Sequence, residues 1–240
     1  MAYINDSNNF ILNIIVIYKY NNLMVDYDFK TNHFFFSYAG NKRDECEKIY
    51  DYINSNINLN NIQTVIEPFC GSSAFSFYMS KIHPKKYKYI LNDNNKYLIK
   101  LYEIAKSKQK LKQLVNKLNK MTINLDKNKY YDIKKTDTLE SYIITHKIYN
   151  LSPGLFPIKI PQHKYVDYFN SFLDSDIIDF IRNEDITFSN LDSTDIMEKH
   201  YNNKKNLIFL DPPYLTECND FYYDSKTNIY EYLYIHNIKK

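Results

Sequence analysis

Strands that alternate with helices constrain this chain more than any other feature of its sequence. The β-branched run 64–67 ends at Pro68, and small residues then lead into a helical pattern over 74–81. A second strand pattern over 87–91 is followed by a long helical pattern over 96–120. Parallel strands need such helical crossovers between them. The sequence therefore predicts an α/β fold with a mostly parallel sheet.

The rest of the chain continues this alternation around a helical stretch. Apolar spacing predicts a short strand over 34–38, helices over 44–54, 139–149, 165–181 and 193–200, strands over 186–189 and 206–210, and a proline-rich loop over 150–161. We expect a main domain over 24–240 with a helical insertion over about 119–181. Residues 1–23 are expected to be an N-terminal extension, and the alternative is that the apolar stretch 10–18 fills an open edge of the sheet.

Charge is spread unevenly along the 240 residues. The formal net charge is only +3, yet residues 81–135 hold sixteen lysines against four acidic residues. A basic stretch of this kind suits a phosphate backbone, and the alternative is a solvated lysine-rich helix face. Because lysine and asparagine abound in the chain and glycine is scarce, part of this bias is what AT-rich codons would give.

The three cysteines are unclustered, which argues against a disulfide framework or a zinc site and favours a reducing compartment. The six histidines are scattered, and no metal site is expected. The apolar stretch 10–18 is too short to span a membrane, so no membrane partner is expected.

Candidate binding residues follow three of the predicted strands. In open α/β sheets, ligands bind at the carboxyl ends of the strands. Small residues in the turn 67–73 would let the backbone approach a ligand, and the alternative is an ordinary tight turn. Asp93 closes the next strand, where an acidic side chain typically accepts hydrogen bonds from ribose hydroxyls, and the alternative is a helix cap.

The third strand end, Asp211-Pro212-Pro213-Tyr214, is the most specific of the three, and the alternative is a proline-rich turn after a strand. Two consecutive prolines fix the backbone and remove two donors, which leaves carbonyl oxygens to accept hydrogen bonds. An exocyclic amino group is a poor nucleophile because its lone pair is delocalised into the aromatic ring. Accepting its protons on Asp211 and the Pro212 carbonyl would localise that lone pair. Tyr214 offers a face on which an extruded base can stack.

With these residues in place, the chain resembles the Dam-like adenine-N6-specific DNA methyltransferases. The resemblance runs in order from the opening motif at 36–43, through the cofactor loop at 67–73 and the following motif at 91–99, to fainter landmarks at 150–155 and 159–161 and the catalytic motif at 211–214. It implies a Rossmann-like methyltransferase sheet, S-adenosylmethionine as cofactor, and double-stranded DNA with a flipped adenine as substrate.

The resemblance also assigns roles to residues of this chain. The catalytic set it implies is Asp211, Pro212, Pro213 and Tyr214, and the cofactor-binding set is Tyr38, Lys42, Glu67, Phe69, Gly71, Asp93 and Asp211. Tyr38 and Lys42 would line the pocket for the cofactor and the flipped base. The insertion would correspond to the target-recognition region of the family.

Several positions depart from the family pattern. Asn41 and Ser73 replace glycines, and Tyr38 replaces a tryptophan. Only 26 residues follow Tyr214, whereas the resemblance implies further strands. We therefore expect the chain to be poorly soluble or inactive alone and to need a C-terminal partner chain.

Alternative functions stay open from the sequence. One is a truncated, inactive methyltransferase remnant or an accessory nucleic-acid-binding subunit. Another is methylation of cytosine N4 or of adenine in RNA, although Asp211 favours adenine because cytosine enzymes of this kind more often carry serine there. The expected location is the cytoplasm, or a viral replication site within it for a virus-encoded chain.

Overall fold

A six-stranded sheet organises the computed structural model, which describes residues 2–5, 11–16, 34–35, 42–149 and 168–212. The strand order is β1-β2-β6-β3-β4-β5. The strands are β1 (Ala2–Asn5), β2 (Ile11–Val16), β3 (Thr64–Glu67), β4 (Lys88–Asn92), β5 (Asp185–Ser189) and β6 (Asn206–Leu210). All neighbouring pairs are parallel except β1 with β2. The predicted α/β fold with a mostly parallel sheet is confirmed.

Continuous apolar runs form the centre of this sheet. All five residues of β6 are buried, and so are the last three of β3. Strands covered by helices on both faces lose the alternation of apolar and polar residues, which is why these runs appear unbroken in the sequence. Because β6, β3 and β4 are neighbouring parallel strands, their carboxyl ends lie side by side, at what we call the carboxyl edge of the sheet.

The N-terminal stretch takes part in the sheet. Strand β2 pairs in parallel with β6, with Ile14 opposite Ile208 and Val16 opposite Leu210. Of the two placements considered from the sequence, the filling of the open edge is the one that the strand pairing supports. Beyond β2, the antiparallel strand β1 forms the edge.

Two compact units divide the chain: 1–28 with 40–96 and 184–240, and 29–39 with 97–183. The first unit contains the sheet and the helices α1 (Cys46–Asn56), α2 (Ala74–Ile82) and α8 (Ser193–His200). Helix α2 packs on the sheet through Phe75, whose ring stacks on that of Phe209 with centroids 4.2 Å apart. This contact fixes the helix that follows the β3 turn against the strand that precedes Asp211.

The second unit is helical within the described residues. Its helices are α3 (Lys96–Ala105, whose first residue belongs to the first unit), α4 (Lys108–Thr122), α5 (Lys127–Lys134), α6 (Leu139–Tyr149) and α7 (Ile177–Asn183). Its core includes Phe35, Phe169 and Phe172, and the Phe35 and Phe172 rings lie 5.0 Å apart. None of the helices in the described ranges combines the length and apolar character needed to cross a bilayer.

Three predicted elements differ from the structure. The single helix over 96–120 is wrong, because Ser107 begins a new helix by accepting a hydrogen bond from the Lys110 amide. The single helix over 165–181 is also wrong: a 3-10 turn at Tyr168–Phe172 is followed separately by α7. Phe34 and Phe35 lie in a bend rather than in a strand. Helix α5 occupies part of the polar region 122–138, for which no element is predicted.

Candidate active site

Three acidic side chains meet at the carboxyl edge of the sheet. Glu67 ends β3, Asp93 follows β4, and Asp211 follows β6. The strand register aligns these ends, because Glu67 pairs with Leu91 and Ile66 pairs with Ile208. The three strand ends singled out in the sequence thus lie at one edge within the first unit.

The turn after β3 is shaped by two residues in the left-handed region. Gly71 has φ 45°, and Ser73 has φ 55° and ψ 31°. Ser73 stands where the resembled family has its second glycine, and a side chain makes this conformation unfavourable. The turn is tied to the neighbouring strand by the Cys70 amide, which donates to the Asn92 carbonyl over 2.7 Å.

Glu67 is a buried carboxyl group that caps helix α2. Its side chain is 2% exposed, and its Oε1 accepts the Ser76 amide over 2.8 Å. This amide belongs to the first turn of α2, whose N–H groups have no partners within the helix. Burial raises the pKa of Glu67 to about 8, and the nearby negative charge of Asp211 adds to the rise. Around neutral pH, Glu67 is therefore largely protonated.

Asp93 links two turns through backbone amides. Its Oδ2 accepts the Gly71 amide over 3.0 Å, and its Oδ1 accepts the Asn95 amide over 2.9 Å. Burial raises the pKa of Asp93, while these two hydrogen bonds work in the opposite direction. A carboxylate can accept about four hydrogen bonds, so these two amides leave capacity for two more.

The structure also assigns a role to Asn92, which sequence reasoning did not identify as a site residue. Its side-chain amide donates to the carbonyls of Pro68 and Leu191, each over 3.0 Å, and its Oδ1 accepts from Ser189 Oγ and the Leu191 amide. All four hydrogen bonds of a buried amide are thereby made. Asn92 holds together the turns after β3, β4 and β5. An asparagine at the end of an apolar strand is the sequence feature that could have pointed to it.

Lys42 forms a buried ion pair with Asp211. Lys42 Nζ lies 2.7 Å from Asp211 Oδ2, and the two side chains are 6% and 16% exposed. The Lys42 carbonyl accepts the Glu45 amide and the Cys46 thiol, which fixes the start of the 3-10 turn Arg43–Glu45 that leads into α1. A lysine from the opening motif thus holds the first residue of the predicted catalytic motif.

The remaining predicted site residues fall into two groups. Phe69 is half-buried in the turn after β3, and Pro212 is buried next to Asp211. Tyr38, Pro213 and Tyr214 lie outside the described residues, as do the landmarks at 150–155 and 159–161. Their expected roles stay predictions.

Cysteines and metal ligands do not add a second chemistry in the described part of the chain. Cys46 and Cys70 are buried free thiols, and burial raises the pKa of each. Thiols of this kind are poor nucleophiles because the thiolate form is disfavoured. The described residues contain no group of three or more His, Cys, Asp or Glu side chains placed to hold a metal ion.

Comparison with known proteins shows that the chain is similar to DNA methyltransferases. Residues 38–153 match the model of the D12 class N6 adenine-specific DNA methyltransferases. This match supports an adenine-N6 DNA methyltransferase family for the chain. The chain is also 28% identical over 200 residues to the type II methyltransferase M.CviBI of Paramecium bursaria Chlorella virus NC1A, an alignment that covers 78% of this chain and 71% of that protein. The D12 match includes Lys42, Glu67 and Asp93.

Proposed function

We propose that the protein transfers a methyl group from S-adenosylmethionine to N6 of adenine in double-stranded DNA, acting on a base extruded from the duplex. The observation that carries this proposal is the Lys42–Asp211 ion pair at the end of β6, beside the strand ends that hold Glu67 and Asp93. In a chain that matches the D12 methyltransferase family, this edge has the acceptor groups that both a nucleoside cofactor and an aromatic amine require.

The residues at the β3 and β4 ends fit S-adenosylmethionine. Asp93 has acceptor capacity for two ribose hydroxyls after its bonds to the backbone. The left-handed turn at Gly71 brings the backbone to the edge without a side chain in the way. Phe69 in the same turn offers an apolar ring. When bound, the cofactor supplies a methyl group attached to a positively charged sulfur.

Glu67 and Lys42 complete the proposed cofactor site in different ways. Glu67 fixes the first turn of α2 behind the cofactor loop, so its contribution is to the shape of that loop. Lys42 places a positive charge against Asp211 and thereby favours the ionised carboxylate. A carboxylate held in that state is a better hydrogen-bond acceptor than a carboxylic acid.

Asp211 and Pro212 would act on the target amine. Asp211, held at Oδ2 by Lys42, would accept one N–H of the amine on its carboxylate, and the Pro212 carbonyl would accept the second. Accepting both protons localises the nitrogen lone pair for direct attack on the methyl carbon. Orientation and fixed hydrogen-bond acceptors supply the rate enhancement. We propose that Tyr38 and Tyr214 provide stacking faces for the base and that Pro213 fixes the motif's backbone.

The test is methyl transfer to a mixed-sequence duplex library with radiolabelled S-adenosylmethionine. We expect label in N6-methyladenine after nuclease digestion and mass spectrometry, at one sequence context. Label in N4-methylcytosine, or in RNA instead of DNA, would replace the proposed substrate. Binding of cofactor and DNA without transfer would instead identify an inactive remnant or an accessory subunit, and recovery of transfer on adding a C-terminal partner chain would show that the site is completed in trans.

The location we propose is a reducing compartment, the cytoplasm or a viral replication site within it. The two buried free thiols, Cys46 and Cys70, motivate this placement, and the viral source of the M.CviBI relative motivates the second possibility. Fluorescence microscopy of the tagged chain in its native host would test it, and an extracytoplasmic signal would contradict it.

A further inference from the structure

The outer surface of helix α4 has an unusual charge pattern. Of the residues on this surface, five are lysines and the rest are glutamine or asparagine: Lys108, Gln109, Lys110, Lys112, Gln113, Asn116, Lys117 and Lys120. Lys108, Lys112, Asn116 and Lys120 follow one another at intervals of four residues, and they form what we call the α4 basic row. At about 1.5 Å per residue, this row extends along roughly 18 Å of helix.

The row is not needed to hold the helix in place. The opposite face of α4 is packed through Leu111, Leu114, Val115 and Leu118, which are at most 7% exposed. Lysines at i and i+4, such as Lys108 and Lys112, repel one another by a few tenths of a kcal/mol. The basic row therefore costs the helix stability instead of adding to it.

Helix α8 shows the usual arrangement of charge in the same molecule. It begins at the cap Asp192 with Asp195 in its first turn, and Lys199 and His200 lie in its last turn, so its charges oppose the helix dipole. Helix α4 has no acidic residue in its first turn and carries Lys108 and Lys110 there. An anion at this end would remove an unfavourable interaction that α8 does not have.

Neighbouring acidic residues are engaged elsewhere. Glu140 of α6 lies 2.6 Å from Lys117, on the flank of α4 beside the row. Glu103 pairs with Lys106, Asp132 pairs with Lys135, and Asp126 caps α5. Across the described part of the chain, no acidic side chain lies within ion-pair distance of the amines of Lys108, Lys112 or Lys120.

We propose that the α4 basic row is a docking surface for the sugar–phosphate backbone of double-stranded DNA. This inference rests on the proposed function and adds to it a second, sequence-independent contact. Duplex DNA carries one negative charge per about 1.7 Å of axis with both strands counted, so about 18 Å of duplex carries about ten phosphates, some of which can face the row. Lysine amines and the Asn116 amide are groups that commonly bind phosphate oxygens.

The test measures how the affinity for DNA depends on salt. A fluorescently labelled duplex is titrated with the full chain at several NaCl concentrations, and log Kd is plotted against log salt. The variant Lys108→Gln/Lys112→Gln/Lys120→Gln should reduce the magnitude of the slope by about 2–3, roughly one for each lost phosphate contact. The loss should be the same for duplexes of unrelated sequence.

Two control variants are needed. One tests whether any loss of positive charge lowers the slope, and the other tests whether the Lys117–Glu140 ion pair beside the row contributes to it. Lys199→Gln/Lys204→Gln/Lys205→Gln removes the same charge from exposed positions in the first unit. Lys204 and Lys205 directly precede β6, at the amino ends of the parallel strands. Lys117→Gln/Glu140→Gln removes the ion pair without changing net charge. Both controls should keep the wild-type slope, and thermal unfolding of each variant should be close to that of the wild type.

The outcomes distinguish the two proposals. An unchanged slope in the α4 variant, or an equal loss in the amino-edge control, would overturn the docking surface while leaving the proposed function intact. A wild-type chain that binds no duplex DNA would overturn both. A lower slope in the α4 variant for RNA alone would also contradict the proposal.

Discussion

The ends of β3 and β6 each present a carboxyl group at the carboxyl edge of the sheet, but the two groups have different surroundings. Glu67 has a backbone amide as its partner, and burial keeps it largely protonated near neutral pH. Asp211 has the Lys42 amine 2.7 Å away, which favours its ionised form. Burial therefore raises the pKa of Glu67 against the effect of its Ser76 partner, whereas Asp211 has a cation beside it.

This difference suits Glu67 to a structural role and Asp211 to a chemical one. A carboxyl group bonded to the first turn of a helix contributes to the shape of the turn after β3, the proposed cofactor loop. An ionised one whose charge is balanced by lysine can accept hydrogen bonds from an amine. Substitutions at either strand end change one side of this comparison at a time.

The largest effect is expected at the end of β6. Asp211→Ala should reduce methyl transfer by on the order of 10²–10³-fold or more, because the amine loses its anionic acceptor. Cofactor affinity should change little, since Asp211 acts mainly on the target amine. The measurements are radiolabel transfer to DNA and calorimetric titration with S-adenosylmethionine.

A second variant guards against a folding defect in that experiment. Asp211→Ala leaves Lys42 buried without its carboxylate, which can cost about 3–5 kcal/mol of stability. Asp211→Asn keeps the shape and a hydrogen-bond acceptor near Lys42 but removes the charge. Wild-type transfer rates in both variants would rule out the proposed chemistry of Asp211.

The next effect concerns the pH dependence set by Glu67. Its pKa is raised from 4.5 to about 8 in the folded chain, so the unfolded chain ionises first as the pH rises. The folded state then binds more protons, and its stability falls between about pH 4.5 and 8. The fall approaches about 4–5 kcal/mol for a shift of this size.

Glu67→Gln should remove this part of the pH dependence. Urea unfolding of the wild type and the variant at pH 5, 6, 7 and 8 should give curves of stability against pH that diverge toward the acidic side, where the wild type gains stability. Because Asp93 also has a raised pKa, the difference between the two proteins is the relevant quantity. Glu198→Gln, at an exposed position on α8, is the control. Parallel curves for Glu67→Gln and the wild type would show that Glu67 is ionised when buried.

A smaller effect is expected at Asp93, which follows β4 on the other side of β3 from β6. Asp93→Ala should weaken S-adenosylmethionine binding by about 1.5–3 kcal/mol, the range for hydrogen bonds to a charged group. Asp185→Ala, at the opposite edge of the sheet in an exposed pair with Lys88, should leave affinity unchanged. Calorimetry that gives equal affinities for the wild type and Asp93→Ala would remove Asp93 from the cofactor site.

Sequence reasoning located strands β3 to β6 and several helices because local chemistry marks them. Strand β3 ends where Pro68 follows, and α8 begins at the capping residue Asp192, so both have the predicted bounds. The helix predicted over 96–120 fails at Ser107 for a related reason. A side-chain cap inside a regular apolar pattern competes with helix continuation, and periodicity alone does not register it.

Contacts between distant residues could not be predicted in the same way. The partners of the Asn92 amide lie 24 and 99 residues away in sequence, and no local pattern connects them. Lys42 and Asp211 were placed in one site only through the family resemblance, and no periodicity or spacing links them. The pKa of Glu67 was equally hidden, because burial raises it and local sequence does not separate Glu67 from Asp211 in burial or in partner.

The smallest effect is expected from backbone strain in the turn after β3. Among the described residues, the end of β6 has no residue with positive φ. Ser73 has φ 55°, a region that a side chain disfavours by about 1–2 kcal/mol and glycine does not. Ser73→Gly should therefore stabilise the protein by about 0.5–1 kcal/mol after the entropy cost of glycine in the unfolded chain. Ser72→Gly, next to it and absent from the left-handed region, should destabilise by a similar amount. Lys85→Gly, at φ 57° on the surface, should stabilise as Ser73→Gly does.

Thermal unfolding would show shifts of about 2–4 °C per kcal/mol for a chain of this size. If Ser73→Gly and Ser72→Gly were equally destabilising, the turn would be held by the buried Ser73 side chain and not opposed by it.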